Sequence, residues 1–404
     1  MKNNILYLLL LALLISSCST KEMEKEQPYL ILLSMDGFRW DYPDSIATPN
    51  FDRMEKMGVK AESMQVSFPS KTFPNHYTLV TGLVPDHHGI VNNTFYAPKF
   101  DEVYSIGNRE AVQNGKFYQG EPIWNTAEKQ GMKAGSYFWV GSEADIQGMH
   151  PSYWKEYDHD FDFYQRVDSV MAWLSLEESK RPHLISWYVH EPDGVGHHYG
   201  PHSETADSTI RDLDALLGYF MKELSKHPLA DKVNVIVLSD HGMGNIYKDK
   251  SILLTDYLKK EWYTYLVGGN PIYNIKAQEG FEDSIYLALE QVNGLTIYKN
   301  SEIPEALNYG THERCLDFTI VADSSYSIMK RAPRKNYGMG GTHGYDIRNK
   351  DMNAIFYAYG PAFKQNYQQE MFKNVDVYPL MCEILNLTPA PNDGDLEEVR
   401  GMLK

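Results

Sequence analysis

Four stretches of this chain are apolar almost throughout, and each ends abruptly in a polar or glycine-bearing turn. The run from Tyr29 to Leu33 leads into Ser34-Met35-Asp36-Gly37, and the run from Leu184 to Val189 into His190-Glu191-Pro192-Asp193. The run from Val233 to Leu238 leads into Ser239-Asp240-His241-Gly242, and the run from Ala354 to Tyr359 stops at Gly360-Pro361. Strands that read apolar on both sides are those buried on both faces of a sheet. Between them lie helical patterns. After Ser203, apolar residues recur at three- and four-residue steps (Ile210, Leu213, Leu216, Leu217, Phe220, Leu224), which places them on one face of a helix. Thr48-Pro49 opens a shorter helix that Gly58 closes, and another is predicted from Val375 to Leu387. Strands alternating with helices predict an α/β fold around a largely parallel central sheet flanked by helices. Ligands of such sheets bind beyond the carboxyl ends of the strands, where three of the four runs carry acidic or histidine-bearing turns.

The pattern changes between about 247 and 338, where short mixed segments and one helix, Phe281 to Val292, are expected. This stretch is expected to be a smaller insertion capping the site, within a catalytic domain that spans 28–404. The chain begins differently. Lys2 and an apolar run from Ile5 to Ile15 lead to Ser16-Ser17-Cys18, a run short of the ~20 residues that span a bilayer. Residues 1–18 are therefore expected to be a signal peptide, and its ending resembles a lipoprotein cleavage box, with Cys18 as the lipidated residue. The polar residues 19–27 would form a tether. An exported protein, membrane-anchored and facing the periplasm or cell surface, is the expectation. In that compartment Cys315 and Cys382 are free to pair, and the sequence leaves that open.

The 404 residues carry a formal net charge of −16. Such a balance argues against a broad basic face for nucleic acid, and no sequence-specific nucleic acid binding is expected. It does not argue against phosphate substrates, because bound cations reverse the sign inside a pocket. The special turns supply candidates for holding them: Asp36, Asp193, His197, Asp240, His241 and His343. Three carboxylates and three imidazoles suit two zinc-like ions. Asp193 and His197 are four apart, so a helical turn would point both to one side. Taken singly, each candidate is unremarkable: an aspartate after a strand is usually a turn former, and a lone histidine an ordinary polar residue. Their shared position at strand ends is what gives the set weight. Thr72, in Ser67-Phe68-Pro69-Ser70-Lys71-Thr72-Phe73-Pro74-Asn75-His76, precedes a helical stretch from Asn75 to Thr81. Alone it would be a helix cap; beside metal ligands, its hydroxyl becomes a candidate nucleophile.

These residues resemble a known pattern. The blocks SMDGFRWDY, FPSKTFPNHYTLVTGLVPDHHGIVNN, EPDGVGHHYGP, LSDHGM and GTHGYD, in this order, are similar to the nucleotide pyrophosphatase/phosphodiesterase family of the alkaline phosphatase superfamily, from about Tyr29 to Phe363. The resemblance implies an alkaline-phosphatase-like fold. It implies one zinc ion held by Asp36, Asp240, His241 and the Thr72 oxygen, and a second held by Asp193, His197 and His343. Asn93 would donate to a phosphate oxygen, and Phe73 and Tyr188 would sandwich a nucleobase or other leaving-side group. The implied chemistry is in-line attack by Thr72 on phosphorus, a phosphothreonine intermediate and its hydrolysis by water. One departure is Ile347, where the family usually has asparagine, with consequences expected for packing only.

The leading expectation is hydrolysis of phosphodiester or phosphoanhydride bonds in nucleotides, releasing a nucleoside monophosphate. A phosphomonoesterase, or a lipid- or choline-directed phosphodiesterase, on the same metals is the alternative enzyme. A lipoprotein that binds nucleotides without turnover is the alternative from another class.

Overall fold

The computed structural model describes residues 27–331 and 339–404, with the backbone alone at Met339. The expected signal peptide, Cys18 and all of the tether but Gln27 lie outside the described residues. Eight strands form the central sheet: β1 (Tyr29–Met35), β2 (Val59–Ala61), β3 (Ala134–Tyr137), β4 (Tyr153–Lys155), β5 (Leu184–Val189), β6 (Val233–Leu238), β7 (Phe356–Tyr359) and β8 (Tyr367–Gln369). Their order is β8-β2-β7-β6-β1-β5-β3-β4. β1 runs parallel to both neighbours, β5 and β6, and all seven of its residues are buried. Leu30 and Leu32 join one hydrophobic cluster and Ile31 and Leu33 the other, so the continuous apolar run serves both faces of one sheet.

Six helices matter to the site: α1 (Pro49–Met57), α2 (Thr72–Thr81), α3 (Phe163–Leu174), α4 (Asp193–Tyr199), α5 (Glu204–Ser225) and α6 (Val377–Leu385). α1, α3 and α5 cover one face and α2 and α6 the other. α5 starts where its cap predicts, with the Ala206 N–H donating to Ser203 Oγ at 3.1 Å. All six residues of its predicted apolar stripe are buried, each stabilising the packing by about 1.5–3 kcal/mol relative to exposure. α1 begins differently: Pro49 opens it, but the Thr48 side chain makes no cap bond.

β7 is antiparallel to β6 and β2. Its carboxyl end therefore points away from the edge where β1, β5 and β6 finish, which explains why its terminal turn carries no acidic or histidine residue. The chain leaves the sheet's neighbourhood at Tyr247 and returns at Met339, and these two residues pair across an antiparallel ladder. The intervening stretch builds its own four-stranded antiparallel sheet, Tyr263–Gly269, Ile272–Ala277, Phe318–Ala322 and Leu295–Lys299 in spatial order. Its helix spans Glu282–Leu289, shorter than expected, and stops before the Asn293-Gly294 turn. The unit docks on the segment after α2. Asp86 accepts the Gly310 and Thr311 N–H groups, and Arg314 donates to the carbonyls of Gly89 and Phe117 at 2.6 Å. Cys315 and Cys382 are both buried as free thiols, so they do not pair. Among the described residues, no helix is long and apolar enough to cross a membrane.

Candidate metal centre and cleft

The parallel register delivers the first ligands. Ser34 of β1 stands level with Tyr188 of β5 and Leu238 of β6, so Asp36 and Asp240 emerge side by side at the same edge. Gly37 follows with φ +70, and a Cβ there would approach Asp193 Cα to 3.0 Å. Glycine thus allows the β1 turn to press against α4. Its N–H donates to Asp240 Oδ1 at 3.2 Å, and Asp193 N–H donates to the Asp36 carbonyl at 3.0 Å. Gly242 gives the Asp240-His241 turn its tightness: a Cβ would lie 2.1 Å from the Asp351 carbonyl oxygen.

Six candidate ligands gather into two groups. Asp36, Asp240 and His241 form one, and Asp193, His197 and His343 the other; within each, the donor atoms lie within 4.8 Å of one another. The turn carrying Asp193 and His197 is the helix α4, and His197 Nε2 lies 3.4 Å from Asp193 Oδ1. The rings of His241 and His343 stack with centroids 3.5 Å apart, which makes the groups adjacent. The first group is sealed, its side chains at most 3% exposed, whereas Asp193 is 20% and His197 40% exposed. Solvent and substrate thus reach the centre from the second group's side.

The donor atoms are presented as a cation would need them. Each imidazole engages a backbone carbonyl through Nδ1: His241 with Gly242 at 2.8 Å, His343 with Ser70 at 2.8 Å, His197 with Gly341 at 2.9 Å. A carbonyl only accepts, so Nδ1 carries the proton and the Nε2 lone pair faces the cluster. Asp36 Oδ1 and Asp193 Oδ1 are buried without a hydrogen-bond partner among the described residues. Burial, then the carboxylates of Asp240 and Asp193, push the Asp36 carboxyl well above its ordinary range. Burial alone would also raise Asp240, but His241 and His76 hold it well below. Burial, then His241, Lys71 and His197, push His343 well below the usual imidazole value, keeping its lone pair free. Crowded carboxylates with orphaned oxygens, beside imidazoles whose Nδ1 atoms are engaged by backbone carbonyls, fit a pair of divalent cations.

The helix expected from Asn75 begins three residues earlier, so Thr72 lies within it rather than ahead of it, and not as a cap. It is the first residue of α2, Lys71 precedes it as the N-cap residue, and the Thr72 hydroxyl lies 3.2 Å from His241 Nε2. Asn93 accepts the Phe73 N–H through Oδ1 at 2.9 Å, and its Nδ2 has no partner among the described residues. Thr72, Phe73, Tyr188, Asp36 and Asp193 all line one cleft of about 350 Å³, within the range of small-molecule sites. Tyr188 does more than form a wall: its hydroxyl donates to Asp36 Oδ2 at 2.6 Å. Burial, then the Asp36 charge, raise that phenol well above its ordinary value, so it stays a donor. The remaining walls come from 106–112, 138–143, 157–159 and 190–194, and among the described residues none of the 247–338 insertion lines this cleft. The insertion reaches the centre from beneath, where Lys71 Nζ donates to the Asn270 carbonyl at 2.6 Å.

Sequence reasoning gave no role to His76. It is fully buried one turn after Thr72, with Nδ1 3.0 Å from the Thr72 carbonyl and 3.2 Å from Asp240 Oδ2, and Nε2 2.8 Å from Ser34 Oγ. Its i,i+4 spacing from Thr72 was the available signal, and an apolar helix face masked it.

Residues 30–346 match the family model described as type I phosphodiesterase/nucleotide pyrophosphatase. The chain is 35% identical over 390 residues to human ectonucleotide pyrophosphatase/phosphodiesterase family member 5, covering 96% of this chain and 81% of that one. It is 37% identical over 391 residues to a venom phosphodiesterase of Naja atra, covering 94% of this chain; it spans about half (47%) of the venom enzyme's length. In structure it is similar to murine ectonucleotide pyrophosphatase/phosphodiesterase 5, solved as an inactive threonine-to-alanine variant in complex with AMP. The TM-score is 0.89 at 36% identity, covering 94% of this chain and all of that one. Ligand set, fold and family model agree: the chain belongs to the type I phosphodiesterase/nucleotide pyrophosphatase family, with an alkaline-phosphatase-like α/β fold.

Proposed function

We propose that this chain hydrolyses phosphodiester and phosphoanhydride bonds in nucleotides through Thr72, releasing a nucleoside monophosphate. The observation that carries the reading is the Thr72 hydroxyl, which lies against His241 at the end of a cleft walled by Phe73 and Tyr188. Asp36, Asp240, His241 and the Thr72 oxygen would hold one divalent ion, and Asp193, His197 and His343 a second; the mixed nitrogen and oxygen donors favour zinc. Bound there, such ions supply Lewis-acid stabilisation of the attacking and leaving oxygens.

The chain's own groups do the rest. The Thr72 oxygen attacks phosphorus, the bond to the leaving oxygen breaks in line, and the leaving oxygen takes up the proton that the hydroxyl gives up; the phosphothreonine formed still carries the nucleoside as its ester, and water then displaces the threonine oxygen, restoring its hydroxyl and releasing the nucleoside monophosphate. At the start of α2 the Thr72 N–H, which has no partner among the described residues, is available to phosphate, and the Asn93 amide supplies a donor for an equatorial oxygen. Phe73 and Tyr188 hold the planar group by stacking, which suits any base because every base has a π-face. Tyr188 also fixes the Asp36 carboxylate through its hydroxyl.

The same reading takes 28–404 as the catalytic unit with 247–338 inserted. It takes 1–18 as an export signal and Cys18 as the lipid anchor that holds the enzyme at a membrane.

A substrate panel on metal-replete protein tests the bond class. Dinucleoside polyphosphates, nucleoside triphosphates, a phosphocholine diester and simple aryl monoesters are compared, with products identified by mass. Release of nucleoside monophosphate at the highest kcat/KM is expected; faster monoester or phosphocholine cleavage would reject the reading.

A further inference from the structure

Behind the cleft wall lies a buried arginine that forms no ion pair among the described residues. Arg166, in the first turn of α3, is 0% exposed and donates to backbone carbonyls. Nη1 reaches the Tyr188 carbonyl at 2.8 Å, while Nε and Nη2 reach that of Phe161 at 3.0 and 2.9 Å. Nη2 also lies 3.4 Å from the Asp158 and His159 carbonyls. Its guanidinium stacks over Phe138 at 4.9 Å and Phe163 at 4.8 Å. A cation taken out of water is a standing cost, met here by the carbonyls of Tyr188, Phe161, Asp158 and His159 and by two aromatic faces.

What these contacts join is informative. Tyr188, Phe138, Tyr157 and His159 all line the cleft, and they come from three separate stretches of chain. Phe138 has φ +70, a left-handed conformation that is unfavourable for a bulky residue and persists only where the surroundings impose it. Arg166 contacts all three stretches from behind: the carboxyl end of β5, the 158–161 loop and the Phe138 ring. It lies outside both ligand groups.

We propose that Arg166 is a positioning residue that sets the shape of the aromatic subsite. Acting through Tyr188, Phe138 and the 158–161 loop, it decides how tightly the substrate's planar group is held, while leaving the chemistry at phosphorus to Thr72. The inference rests on the nucleotide-hydrolase reading above. A planar fork is required, because one lysine ammonium cannot reach the Tyr188 and Phe161 carbonyls in the same geometry.

The test compares two diesters with the same chromogenic leaving group on the metal-replete enzyme: thymidine 5′-monophosphate p-nitrophenyl ester, which carries a base, and methyl p-nitrophenyl phosphate, which does not. For Arg166→Met and Arg166→Lys, KM for the thymidylyl ester should rise about tenfold or more, while kcat/KM for the methyl ester stays within about twofold of the parent. A loss equal on both substrates means Arg166 is only structural and overturns the proposal; so does no change on either. If Arg166→Met does not fold, Arg166→Lys decides alone. An unmodified enzyme that cleaves neither diester would instead overturn the nucleotide-hydrolase reading itself.

Discussion

The Thr72 hydroxyl and Nε2 of His241 are 3.2 Å apart, although 169 residues separate them along the chain. That contact joins the first turn of α2 to the turn after β6 and sets the proposed nucleophile among the candidate ligands of the first group. It also separates two roles for Thr72, since the residue caps no helix N–H. Thr72→Ala should therefore lower kcat by ~10³-fold or more while shifting unfolding free energy by only about 0.5 kcal/mol. Thr72→Ser, which keeps a hydroxyl, should retain measurable turnover. Acid-quenched digests should show a Thr72 peptide carrying the nucleoside monophosphate in the parent and none in the alanine variant.

Metal content should follow the two ligand groups. Two equivalents of divalent metal per chain are expected by elemental analysis, and exhaustive chelation should abolish turnover until zinc is restored. His343→Asn should leave about one equivalent bound, because it removes one ligand of the second group only. Full activity in the chelated protein would discard the metal assignment.

His76 should act on metal affinity rather than on substrate binding. Its contacts with the Asp240 carboxylate and Ser34 orient a ligand of the first group from behind. His76→Asn should weaken one of the two binding events ~10–100-fold, measured by competition with a chromophoric chelator on unfractionated protein. An unaltered affinity would show that His76 only fills space.

Much of this centre can be read from the chain alone, for a physical reason. Strands buried on both faces are apolar throughout, so the polar residues ending them stand out, and Asp36, Asp193, Asp240 and His241 were found that way. Spacing alone made Asp193 and His197 a pair, which α4 realises. The direction of β7 was not legible, because a fully buried run looks the same whichever way it points. The cleft walls at 106–112, 138–143 and 157–159 were missed too. They are assembled from distant loops by contacts such as those of Arg166, which leave no local pattern. Whether Cys315 and Cys382 meet was likewise a question only the folded chain could answer.

Acid stability should report on His88. The ring is fully buried beside α2, and Nδ1 accepts the Ile90 N–H at 3.1 Å, so the proton sits on Nε2, near the Thr78 hydroxyl and the Pro74 carbonyl. Burial lowers its pKa to about 3, against 6.5 when unfolded. Below 6.5 the unfolded chain takes up a proton that the folded chain refuses, so this stability is complete above that pH and is lost as pH falls toward about 3. Several kcal/mol, as an order of magnitude, should disappear across the window. Urea unfolding of the parent and His88→Gln at pH 7 and pH 4 checks this: the parent should lose more stability between the two than the variant does.

The three imidazoles of the centre are all oriented by peptide carbonyls, those of Gly242, Ser70 and Gly341. A carbonyl of the main chain is present whatever residue occupies the position, so these anchors are displaced only if the backbone moves, as at Gly242 and Gly341, where a Cβ would lie 2.1 Å from the Asp351 carbonyl oxygen and 2.8 Å from that of Gly196. Replacement of the side chains around the centre leaves the aim of the histidines in place as long as the backbone path is kept.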